Sequence, residues 1–141
     1  MKRLSLRIAG ALCVMVGAVA CTPAASDKVV IFPDGPDPAK FFLQCDDVPG
    51  YDVLVAIAKY RKYEIRFDPR AEALCRQTKV GGLFYQPWEG GGTDVEQAAQ
   101  MVVTVVYDKA NLPPGDRLVF VEPTKSDPVA KVTVVSKSAS R

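Results

Sequence analysis

The placement of prolines and glycines restricts this chain to short elements more than any other feature. Pro23, Pro33, Pro36 and Pro38, joined by Asp34, Gly35 and Asp37, all lie within residues 22–40. Proline fixes φ, lacks an amide hydrogen and pushes the preceding residue toward extended backbone, so this stretch supports no helix and barely a strand. A second break falls at Pro87 and Gly90-Gly91-Gly92, and a third at Pro113-Pro114-Gly115. Regular structure has to fit between these breaks.

The segments between them carry two kinds of periodicity. Phe41-Phe42-Leu43-Gln44-Cys45 reads as a strand, ended by Asp46-Asp47 and Pro49-Gly50. From Tyr51 to Lys62, apolar residues recur at three- and four-residue spacings, which predicts a helix with basic residues in its last turn. Tyr63-Glu64-Ile65-Arg66-Phe67-Asp68 alternates with the period of a strand buried on one face, and Asp68-Pro69 ends it. Residues 70–77 read as a short helical turn, and residues 79–86 as a strand softened by Gly81-Gly82. Thr93-Asp94-Val95-Glu96 has the form of a capping box. The helix it opens extends to about residue 103; the β-branched run Val102-Val103-Thr104-Val105-Val106 leaves helix and strand both open beyond that point. Residues 117–121 and 129–135 are strands, the last expected at a sheet edge.

The expected fold class is α+β, with two helices packed on a small mixed sheet in one domain over residues 41–135. Residues 21–40 precede it as an extended tether, and residues 136–141 follow as a polar tail. Val29, Val30, Ile31 and Phe32 interrupt the tether with four apolar residues in a row. They either pack on the domain or dock into a partner by strand addition or pocket insertion.

The first twenty residues form a targeting segment. Lys2, Arg3 and Arg7 precede thirteen uncharged residues, 8–20, which end in Ala18-Val19-Ala20 before Cys21. A basic start, a short apolar run and small residues at the cut site are the parts of a secretory signal peptide, and the run is too short for the ~20 residues that span a bilayer. The small residues followed by cysteine resemble the lipobox of bacterial lipoproteins. That resemblance implies that Cys21 carries diacylglycerol and becomes the new N-terminus, holding the chain to membrane lipid. With Thr22 after the cysteine, it also implies the outer membrane, facing the periplasm. Loss of the signal lowers the 18 basic residues to 15 against 16 acidic ones, so a net charge of +2 becomes −1. The exported part is no electrostatic nucleic-acid binder. Cys13 leaves with the signal and lipid takes Cys21, so Cys45 and Cys75 remain as an even pair in an oxidising compartment. They are expected to form a disulfide, which would restrict the unfolded chain by about 3–4 kcal/mol.

Chemistry is sparse. The chain has no histidine, which excludes serine–histidine and cysteine–histidine catalysis and all histidine metal ligation. Gly90-Gly91-Gly92 lacks the lysine of a phosphate-binding loop. Asp46-Asp47 reads as a solubilised turn, and Lys59, Arg61, Lys62 and Arg66 as a solvated basic group. No metal or other cofactor and no enzymatic activity are expected. The aromatic cluster Phe84, Tyr85 and Trp88 is either a core strand with a tryptophan covering the sheet edge or a partner-binding patch, a second candidate in addition to Val29, Val30, Ile31 and Phe32.

Glu64-Ile65-Arg66-Phe67-Asp68-Pro69 resembles the "I-x-Y/F-D-P" strand of the short N-terminal (N0) domain of secretins and TonB-dependent receptors. In that family the strand follows a helix patterned like residues 53–62. A strand, a helix opening as residues 93–99 do, and a closing strand like Leu118-Val119-Phe120-Val121-Glu122-Pro123 come after it. The likeness covers about eighty residues. An acylated chain with such a module is similar to the small lipoprotein subunits of type IV secretion outer-membrane complexes. This implies a non-enzymatic assembly subunit of a secretion, conjugation or pilus machine. Its partners would be an outer-membrane or periplasmic protein and further copies of itself. A stand-alone ligand-binding or inhibitor-type envelope lipoprotein is the alternative, using the patch at Trp88.

Overall fold

A computed structural model describes residues 28–33, 35–36, 40–84 and 95–137, the side chain of Val95 excepted. The elements are β1 (Val29–Pro33), β2 (Phe41–Pro49), α1 (Gly50–Arg61), β3 (Glu64–Phe67), α2 (Pro69–Gln77), β4 (Lys79–Phe84), α3 (Val95–Ala110), β5 (Asp116–Val121) and β6 (Val129–Ser136). The class is α+β. Its described residues hold three helices and two three-stranded sheets, in place of the expected two helices on one sheet. One sheet is antiparallel in the order β1-β2-β4; the other is mixed, β3-β6-β5, with β3 parallel and β5 antiparallel to β6.

The helices bridge the two sheets. α1 touches strands of both sheets, α3 touches β4 and β5, and the two helices pack on each other. Their common core includes Phe41, Leu43, Val53, Leu54, Ile57, Val80, Val102, Val103, Val106 and Val132, all fully buried. A helix covered on several sides can be apolar over most of its surface. The β-branched run at 102–106 therefore stays helical: Val102, Val103 and Val106 are buried, Val105 packs against the core, and Thr104 faces out with its hydroxyl donating to Gln100 O at 2.8 Å. Gly50 is where the layers meet most closely, because a Cβ there would lie 2.6 Å from Val106 Cγ2.

Asp68-Pro69 ends one element and starts another. Asp68 Oδ1 accepts from Ala71 N at 2.7 Å with Pro69 in the first turn, so a full helix forms where a short turn was expected. Asp68 Oδ2 accepts from Val134 N in β6, also at 2.7 Å. One carboxylate thus joins a helix start to a strand of the mixed sheet. β6 is the central strand of that sheet, contrary to its expected place at an edge.

Two further expectations are corrected. The stretch assigned to the tether contains β1, which pairs with β2 from Val29↔Cys45 to Pro33↔Phe41, so the folded domain begins before residue 41. Cys45 and Cys75 are free, buried thiols and form no disulfide. Cys45 on β2 directs its Sγ to Val80 O of the neighbouring strand at 3.6 Å, while Cys75 belongs to α2. Cys21, the signal segment, Thr93 and Asp94 of the capping box, and residues 138–141 lie outside the described residues. No helix among the described residues is long and apolar enough to cross a membrane.

Candidate docking surface

Strand alternation divides the β1-β2-β4 sheet into a core face and an outer face. Residues paired across antiparallel strands share a face, and the register places Val30, Gln44 and Leu83 in one row and Phe32 beside Phe42 in the next. The opposite face carries Val29, Ile31, Phe41, Leu43, Cys45 and Phe84 against the helices. The outer face is nonetheless apolar. Val30 is 47% exposed, Phe32 39% and Leu83 49%. The rings of Phe32 and Phe42 stack at 5.2 Å between centroids with 20° between planes. Large apolar side chains grouped on one exposed sheet face mark an interaction surface more often than scattered ones do.

The candidate partner-binding residues therefore separate. Val30 and Phe32 stand on the outer face. Val29 and Ile31 are half-buried with side chains packed on the core, and Phe84 is buried, so those three offer no side chain to a partner. Tyr85 and Trp88 lie outside the described residues. Phe42 and Leu83 were missed. The signal for both was present: in a doublet such as Phe41-Phe42, or in Leu83-Phe84, a strand must turn one member outward.

Charge concentrates away from this face's apolar centre. Lys79 pairs with Asp47 at 3.2 Å, where β2 bulges between Cys45 and Val48 and Asp47 takes a φ of 49°. Arg66 of the basic group reaches Glu64 at 2.8 Å. Elsewhere Arg76 pairs with Glu72 at 2.9 Å and lies 3.7 Å over the Tyr51 ring. The Arg70 guanidinium, 2.7 Å from Asp116, holds that carboxyl below its usual range, and Ser136 assists. The Lys131 hydrogen bond does the same for Asp127.

The nucleophilic and phenolic groups of the core are held neutral. Burial pushes the Cys75 thiol up to about 11, with Asp68 adding to the rise. Burial also raises Cys45, helped by Asp46, and takes Tyr63, whose hydroxyl has no hydrogen-bond partner, to about 12. A protonated, enclosed thiol is a poor nucleophile and a poor metal ligand. Among the described residues no cluster of three or more cysteine or acidic side chains could hold a metal ion. An open groove of about 570 Å³ runs along α3 beside the end of β4, lined among the described residues by Phe84, Glu96, Gln97, Gln100, Met101, Thr104 and Val105.

Comparisons of the chain with family models, with curated proteins and with solved structures found no match.

Proposed function

We propose that this chain is a membrane-anchored envelope lipoprotein, and that it serves as a non-enzymatic assembly subunit of a secretion, conjugation or pilus machine. The lipid is carried at Cys21, and the folded module is held at the outer membrane, facing the periplasm. The observation that carries the reading is the apolar face on which Val30, Phe32 and Leu83 are exposed and the half-buried Phe42 stacks on Phe32. A small domain gains nothing in its own stability from side chains left in water, so such a face is explained by something that covers it. The I-x-F-D-P likeness adds to it through Asp68, which ties a strand, a helix and a neighbouring sheet strand into one unit.

The test introduces charge where the fold does not need an apolar group. Val30→Asp combined with Phe32→Asp leaves the core face of β1 intact, so circular dichroism and secretion level stay unchanged. The variant is expected to lose co-purification with envelope protein complexes that retain the wild-type chain. Undiminished co-purification of the folded variant would overturn the assignment of this face.

A further inference from the structure

The two sheets present four outer strands, β1 and β4 in one and β3 and β5 in the other. An outer strand exposes unpaired amides and carbonyls, and proteins guard such edges with charged side chains, bulges or covering groups. β3 contains Glu64 and Arg66, β5 contains Asp116 and Arg117, and β4 contains Lys79, whose carbonyl accepts from Lys109 Nζ at 2.9 Å. β1 reads Val-Val-Ile-Phe-Pro, with no charge and no irregularity in its pairing. Apart from the proline at its end, it is the unguarded edge among the described residues.

Its hydrogen-bonding phase can be read from one contact. Asp46 N donates to Lys28 O at 3.2 Å, which makes Lys28 and Asp46 a hydrogen-bonded pair in the antiparallel ladder. The alternation then turns the backbone groups of Lys28, Val30 and Phe32 toward β2, and those of Val29 and Ile31 toward the open edge. The edge offers the N–H and C=O of Val29 and the N–H and C=O of Ile31. Pro33 follows without an N–H and ends the run of donors.

That set is self-complementary. We propose that two copies of this chain join through antiparallel β1 strands related by a two-fold axis at Val30, making a continuous six-stranded sheet. In this register Val29 of each copy exchanges both backbone hydrogen bonds with Ile31 of the other, so all four outward donors meet the four carbonyls of the same residues, and only the C=O of Pro33 falls outside the set. Val30 faces its own equivalent as a close, non-hydrogen-bonded pair on the outer face. Phe32 falls opposite the other copy's Lys28, where the ammonium can rest on the ring. On the core side, Val29 and Ile31 meet their counterparts as apolar cross-strand pairs. No like charges are brought together. Toward Pro33 a longer strand would gain no donor beyond Ile31, and the described donors and acceptors of Val29 and Ile31 are their own complement, which is why a second copy fits this short edge. The joined sheet doubles the apolar face, and the inference thus rests on the reading of that face as a contact surface.

The experiment uses the exported chain from Thr22 onward, so that neither acyl chains nor the apolar signal contributes association, and follows molar mass by light scattering over a range of concentrations. Wild-type sequence at β1 should reach twice the monomer mass. Val30→Lys and Val30→Glu, each placing like charges on the axis, should each remain monomeric, and their equimolar mixture should restore the doubled mass. Leu83→Lys, on the same face but away from β1, should dimerise as wild type. Without any substitution at β1, amide exchange at Val29 and Ile31 should slow as concentration rises. A monomer at every concentration, a fully dimeric Val30→Lys, or exchange at Val29 and Ile31 that ignores concentration would each overturn the proposal. Because these readouts use the isolated chain, they fail or succeed separately from co-purification with envelope complexes.

Discussion

Asp68 carries more of the architecture than its partly exposed position suggests. Its two oxygens accept from Ala71 N and Val134 N, so removing the carboxylate uncaps α2 and leaves an enclosed strand amide unpaired. Asp68→Ala should cost about 2–3 kcal/mol, roughly one from the cap and the rest from the amide. Asp68→Asn keeps one carbonyl acceptor and should cost less; urea unfolding of the two variants checks both the size and the order. Cys75 sets a pH dependence of stability. Its folded pKa, about 11, lies above its ordinary value of 9.0. The stability that burial of the neutral thiol provides is whole below pH 9 and is lost as pH rises toward 11. The loss approaches about 2 kcal/mol under reducing conditions. Cys75→Ala should flatten that decline between pH 9 and 11, at the cost of a small constant loss from the cavity left in the core. An unaltered slope in Cys75→Ala would assign the alkaline loss to other groups, with Tyr63 the first to test.

At the scale of elements, local pattern and tertiary burial compete, and their balance explains which elements could be read in advance. β3 was legible because its alternation and its Asp-Pro stop are local signals, and α1 because its apolar spacing is helical. α3 beyond residue 103 was not, because Val102, Val103, Thr104, Val105 and Val106 favour a strand locally, while burial between two sheets favours a helix. The position of β1 was hidden for a related reason. Pro33, Pro36 and Pro38 speak for linker, and only the pairing partner Phe41–Pro49 makes Val29–Pro33 a strand. The place of β6 depends on which strands flank it, which no single segment can encode. The role of β1 can be measured directly. A chain that begins after Pro33 should be about 2–3 kcal/mol less stable than one that begins at Lys28, since Val29 and Ile31 each bury part of an aliphatic side chain on the core. Equal stability of the two truncations would return β1 to the tether.

In the described residues two sheets are bridged by helices, and one of the surfaces this arrangement leaves to the outside is the outer face of the β1-β2-β4 sheet. Sequence could name Val30 and Phe32 among the candidates because a run of four apolar residues stands out in polar surroundings. It could not separate them from Val29 and Ile31 without knowing that the segment is a strand with one face on the core. Leu83 and Phe42 join the patch only through strand pairing, which brings residues some fifty positions apart into one row. Assigning that face to an envelope assembly requires that the chain be exported and held by lipid at Cys21. Metabolic labelling with radioactive palmitate tests this most directly. The account predicts label in the wild-type protein, recovered with the membranes, and none in Cys21→Ser. Absence of label from the wild type, or equal labelling of the two, would contradict it.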